Sequence, residues 1–181
     1  MNFVKKHYIN SRLRSFIEQK KGKKVNIHSL KDANSVCFFV TYTYSECLGD
    51  LVEYVSANSE KKIIIICYCT NKKTPENEKT LPFLYTVSQK NVSTTGKIKG
   101  ELSDVFSQHY DVFIDLDTKT DLTSLYLKTL PNADFRIGRN QEYYNYFDFT
   151  LYANKQHTIK DYLSNLEIYT SKLNATCEAT S

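Results

Sequence analysis

Lys62 to Thr70 reads KIIIICYCT, an apolar run that does not alternate with polar residues. A strand with one wet face alternates, because successive side chains point to opposite sides. An unbroken, β-branched run suits a strand covered on both faces. The run is too short to cross a bilayer as a helix, which needs about 20 apolar residues. The chain must therefore cover two faces of one sheet, and helices between parallel strands are the usual way to do so.

The flanking sequence has that rhythm. Val36–Tyr42 is β-branched and aromatic and predicts a strand. Thr43 and Glu46 stand at capping-box spacing, and Leu48, Leu51, Val52 and Val55 follow at helical intervals. With KIIIICYCT this makes a β-α-β unit of parallel strands. Asn71–Thr80 reads as a polar loop, and a short strand is expected around Phe83–Val87. Glu101–His109 predicts a short helix that leads into a strand over Asp111–Leu116. Thr120 is placed to cap the next helix, with Leu122, Leu125, Tyr126 and Leu130 inward, and Ala133–Gly138 is the following strand. The aromatic stretch Gln141–Tyr152 predicts a loop and a final strand over about Tyr146–Tyr152. Thr158 and Asp161 cap a last helix with Ile159, Tyr162, Leu163 and Leu166 inward. The expected fold is α/β, a three-layer sandwich with a mostly parallel, Rossmann-like central sheet of about five strands.

Charge divides the chain unevenly. Residues 1–24 hold eight Lys/Arg against the single acid Glu18, a local charge of +7, whereas the whole chain is +4, so the remainder is −3. Phe3–Gln19 predicts a helix with Ile9, Leu13, Phe16 and Ile17 on one narrow face, closed by Gly22. This gives a basic helical arm over 1–24, one α/β domain over 25–173, and a frayed tail over 174–181. The arm's cations Lys5, Lys6, Arg12, Arg14, Lys20, Lys21, Lys23 and Lys24 are candidates for an anionic surface, a membrane more readily than a nucleic acid. The other expectation is a helix that packs its stripe on the domain and solvates its charges.

Five cysteines without a CxxC argue against a disulfide framework, and Cys67 and Cys69 read as small hydrophobes sharing one face of a strand. With no apolar leader before Lys5, the expectation is a cytoplasmic protein, held at most peripherally to the inner membrane by its first helix.

In open α/β sheets, ligands bind beyond the carboxyl ends of strands, where the strand order reverses. Thr41, Tyr42, Asp115, Asp117 and Arg139 stand at such ends and are the candidate ligand-binding residues. Carboxylates at i and i+2 can share a cation or hold sugar hydroxyls. They can equally serve structure, with Asp117 and Asp121 favouring a helix N-terminus and Asp115 accepting backbone hydrogen bonds. The five glycines form no GxGxxG and no phosphate loop, and the four histidines stand in no metal spacing. No catalytic residue, metal ligand or cofactor is assigned.

Two resemblances attach to these residues. FIDLDTKTDL resembles the first motif of haloacid-dehalogenase-like phosphatases, but Thr118 and Lys119 stand where that family has Gly-Thr. DVFIDLDTKTDLTSLYLKTLPNADFRIG is similar to part of the N-terminal domain of family-9 glycosyltransferases, the heptosyltransferases. That likeness implies a Rossmann-like half fold, whose donor-binding partner domain would begin where this chain ends. The whole chain, through its basic helix, its FIDL and FRIGR strands and YYNYFDF, resembles a small family of Bacteroidetes proteins with no assigned activity. The functional expectation is a non-catalytic domain binding a protein partner or a small ligand. The alternatives are an enzyme or a metal or sugar-phosphate binder using Asp115 and Asp117, and surface association through residues 1–24.

Overall fold

A computed structural model describes residues 3–42, 45–70, 81–139, 141–152 and 158–178. In chain order the elements are α1 (Phe3–Lys20), β1 (Ser35–Thr41), α2 (Ser45–Ala57), β2 (Lys62–Cys69), β3 (Leu84–Ser88), α3 (Leu102–Ser107), β4 (His109–Asp115), α4 (Leu122–Lys128), β5 (Asn132–Gly138), β6 (Phe149–Thr150) and α5 (Ile159–Glu178). The expected caps at Thr43 and the loop Asn71–Thr80 lie outside the described residues.

The six strands form one open sheet in the order β3-β2-β1-β4-β5-β6, and each neighbouring pair is parallel. This is the Rossmann-like order, which runs outward in both directions from the β1–β4 boundary. Crossovers of one hand that travel in opposite directions must lie on opposite faces. So α2, joining β1 to β2, packs on one face, and α4, joining β4 to β5, packs on the other.

The core follows from period-2 alternation. Val36, Phe38, Val40, Ile63, Ile65, Cys67, Val112 and Ile114 meet Leu48 and Leu51 of α2 and Ile159, Tyr162, Leu163 and Leu166 of α5. Cys37, Phe39, Ile64, Ile66 and Phe113 meet Ile9 and Leu13 of α1, Val105 and Phe106 of α3, and Leu125 and Tyr126 of α4. Both sides of β2 are buried, as its unbroken apolar run requires. Cys67 and Cys69 lie in the first of these clusters and are unbridged.

Three expectations change. The last strand pairs only over Phe149–Thr150, because Gln141–Tyr146 coils as a 3-10 helix that turns Tyr143, Tyr146 and Phe147 onto the sheet. The cap of α4 is Asp121, whose Oδ1 accepts from the Ser124 amide at 2.8 Å, because the Thr120 hydroxyl accepts from Lys128 at 2.7 Å. The last helix continues past Leu173 to Glu178.

The FRIGR and YYNYFDF segments lock together. Asp148 Oδ2 accepts from the Arg136 amide at 2.8 Å, and its Oδ1 pairs with Lys20 at 2.7 Å. The buried Arg136 guanidinium lies between the rings of Phe16 and Phe113 and donates to the carbonyls of Pro131 and Lys128. A Cβ at Gly138 would overlap the Phe147 ring, so only glycine lets that ring lie on the strand end. Gly138→Ala should therefore destabilise the fold by about 1–3 kcal/mol through overpacking. Urea melts check this, and an unchanged midpoint would contradict the packing account.

Candidate functional site at the switch point

The reversal of strand order falls between β1 and β4, and the carboxyl ends of both strands converge there. Hydrogen bonding between them continues past the last strand residue, with the Leu116 amide donating to the Phe39 carbonyl at 3.0 Å. Asp115 and Asp117 lie at this point, 1% and 0% exposed.

Neither carboxylate faces water. Asp117 accepts from the Thr41 amide at 2.6 Å, the Thr41 hydroxyl at 2.7 Å and Lys128 Nζ at 2.9 Å. Asp115 accepts from the same Nζ at 2.9 Å and from the Asp117 amide at 3.1 Å. Lys128 comes from the far end of α4 and runs up beneath the helix, 5.3 Å from the centre of the Phe39 ring. Three of its neighbours are thus the two aspartates and Thr120.

The network holds two acids and one base, so it carries one net negative charge when all are ionised. Burial opposes this. Desolvation, reinforced by Asp117 and opposed by Lys128, pushes the Asp115 carboxyl up to about 7. Desolvation pulls on Lys128 in the opposite sense, but the two carboxylates outweigh it and hold its ammonium charged. A proton on Asp115 leaves a neutral Lys128–Asp117 pair with each group hydrogen-bonded.

Arg139 closes the site on the β5 side. It is 7% exposed and lies 5.2 Å over the ring of Tyr162, itself fully buried on α5. The Arg139 Nε and the Tyr162 hydroxyl have no hydrogen-bond partner among the described residues. Tyr162 is held protonated by burial first, with Arg139 favouring and Asp115 disfavouring its ionisation. Tyr42, the fifth candidate, is half-buried and packs on the α2–α5 side of the core. The structure thus joins Thr41, Asp115 and Asp117 directly, sets Arg139 beside them, and gives Tyr42 a packing role.

The chain belongs to the DUF6913 family, a family of unknown function. Its family model matches residues 5–173. No curated protein and no solved structure matches the chain. The DUF6913 match spans every residue of the switch-point network and α1 from Lys5 onward.

The basic face of α1 is smaller than its sequence implies. Lys5, a surface candidate, is buried and donates to the carbonyls of Gln89 at 3.0 Å and Val92 at 2.8 Å. It lies on the inward stripe with Ile9 and Leu13, where an amine must find carbonyls. Lys20 is paired with Asp148, and Lys21 with Glu18 at 2.8 Å. Lys6, Arg12, Arg14, Lys23 and Lys24 remain on the exposed side.

Lys128 was the residue hardest to foresee, because a lysine ending a helix ordinarily answers the helix dipole from solvent. Its signal is spacing: it follows Leu125 by three, on the inward side.

Replacing Lys128 by Met should cost about 3–5 kcal/mol, since it leaves buried carboxylates uncompensated. Equal melts for both proteins would contradict that. Asp115 adds a pH dependence. Its folded value of about 7 lies above the unfolded carboxylate value of about 3.9. Its stabilising contribution is therefore complete below about pH 4 and is lost as pH rises through about 7. Asp115→Asn should flatten this fall between about pH 4 and pH 7, measured by urea midpoints.

Proposed function

We propose that this is a non-catalytic, cytoplasmic binding domain that takes a small anionic ligand at the switch point. The observation that carries it is a pair of buried donors without a partner among the described residues, Arg139 Nε and the Tyr162 hydroxyl, at the edge where this fold class binds ligands. Asp115 and Asp117 form the floor of that site. Their oxygens are engaged by Lys128, Thr41 and the backbone, which argues against a nucleophile or a general base. With Asp115 protonated, Lys128 balances Asp117 and the Arg139 charge is left for the ligand. The glycosyltransferase-like half fold belongs to this proposal, on the strength of the segment that forms β4, α4 and β5.

Inorganic phosphate and a nucleoside diphosphate sugar are suitable probes, followed by titration calorimetry and thermal shift. We expect saturable binding of at least one, weakened tenfold or more in Arg139→Met and weakened further as pH rises above 7. We expect no product from either the sugar nucleotide or a phosphoester. Turnover abolished by Asp115→Asn would replace this reading with an enzymatic one. Absence of binding by the parent protein would end it.

A second reading, attachment to an anionic membrane surface, draws on the exposed cations of residues 6–24 and on Phe3 and Val4, 82% and 61% exposed. No described helix is long and apolar enough to cross a membrane. Deleting the arm is a poor test, because Ile9 and Leu13 belong to the core. Neutralising Lys6, Arg14, Lys23 and Lys24 with glutamine instead should abolish binding to phosphatidylserine vesicles at low salt. Undiminished binding by that variant would rule the reading out.

A further inference from the structure

The opposite end of the sheet gathers a second set of chemistry-bearing side chains. His109 and Asp111 open β4 on the same side of the strand, two residues apart. The β4–β5 register sets Tyr110 beside Ala133 and Val112 beside Phe135, which brings Asp134 next to them. His28 arrives from the segment between α1 and β1. Its Nε2 lies 3.3 Å from Asp134 Oδ2, and the Nε2 of His109 lies 3.2 Å from the same oxygen. His109, Asp111 and Asp134 each place one ligand atom within 4.8 Å of the others.

Three features go beyond a chance meeting of surface groups. Asp111 is fixed, because its Oδ2 accepts from the amides of Asn34 at 2.7 Å and Ser35 at 3.1 Å. Second, His28 Nε2 is also 3.1 Å from the side-chain nitrogen of Asn26. The tautomer with its proton on Nε2 donates to Asp134 and braces that carboxylate. Third, the 3.2 Å separation of His109 Nε2 from Asp134 Oδ2 matches the edge of a small coordination tetrahedron. Bonds of about 2.0–2.1 Å from zinc to nitrogen and oxygen give ligand–ligand distances of about 3.3–3.4 Å.

We propose that His109, Asp111 and Asp134 form a zinc site at the amino edge of the sheet, with His28 bracing Asp134 from outside. One imidazole and two carboxylates, with a water in the fourth position, suit a borderline divalent cation of tetrahedral preference. The side chain of His109 is half-exposed, which gives the ion a path from solvent. The site lies at the other end of the strands from Arg139 and Tyr162, and the ion ties β4 to β5, with the segment after α1 held on through His28 and Asp134.

The test uses tag-free, chelator-treated protein titrated with zinc alone, with calorimetry and bound-metal analysis. One equivalent should bind with a dissociation constant in the micromolar range or tighter, and it should raise the melting temperature. His28→Ala and His109→Ala should each weaken binding tenfold or more, in line with the loss of a ligand or its support. Cobalt substitution supplies a readout that does not depend on any variant folding, because a tetrahedral site gives intense visible absorption. Stoichiometric binding with that spectrum supports the site. No saturable uptake, an octahedral cobalt spectrum, or undiminished uptake by the His28→Ala/His109→Ala double variant would overturn it.

Discussion

A single ammonium group holds the centre of this fold. Lys128 Nζ sits 2.9 Å from each of two fully buried carboxylates and bonds Thr120 as well. Through it, α4 is tied to the loop that precedes it and to the end of β4, while Asp117 ties the end of β4 to β1 by two bonds to Thr41. At the β1–β4 boundary no single crossover helix joins the neighbouring strands, since the chain between them passes through β2, β3 and α3. Polar side chains do there what a short connection does elsewhere. A buried ion network is a poor source of stability by itself, because desolvation offsets much of its attraction. Its value lies in geometry, since every alternative pairing leaves a buried charge without a partner.

The same constraint shapes the functional reading. Carboxylates at the end of a parallel strand suggest catalysis or metal binding when only the sequence is in view. Enclosed by Lys128, Thr41 and amides, they have no free face, while beside them the buried Arg139 Nε and Tyr162 hydroxyl have no partner among the described residues. The protonation of Asp115 then sets the net charge of the network.

The layers of the fold were legible in the sequence because burial leaves a period. KIIIICYCT required cover on both faces, and Leu48, Leu51, Ile159, Tyr162, Leu163 and Leu166 fell at the helical spacings that supply it. Strand order was not legible, since it depends on which crossovers travel in which direction. The site was half legible. Thr41, Asp115, Asp117 and Arg139 could be placed at strand ends, but their partners Lys128 and Tyr162 arrive from other elements. Lys5 shows the opposite error, a cation that reads as surface and ends among carbonyls, because its place on the stripe of Ile9 and Leu13 outweighs its charge. The aromatic run before β6 misled for a related reason: its rings cover the sheet from a 3-10 turn, without extending into a strand.

The account stands on the charge state of that buried network. Carbon-13 NMR of the aspartate side-chain carboxyls, followed from pH 3 to pH 9, reads it directly. One carboxyl should titrate at about 7, and its resonance should be missing from Asp115→Asn. If every aspartate in the folded protein ionises below about pH 5, as ordinary carboxylates do, the network is not the desolvated triad described and the account fails.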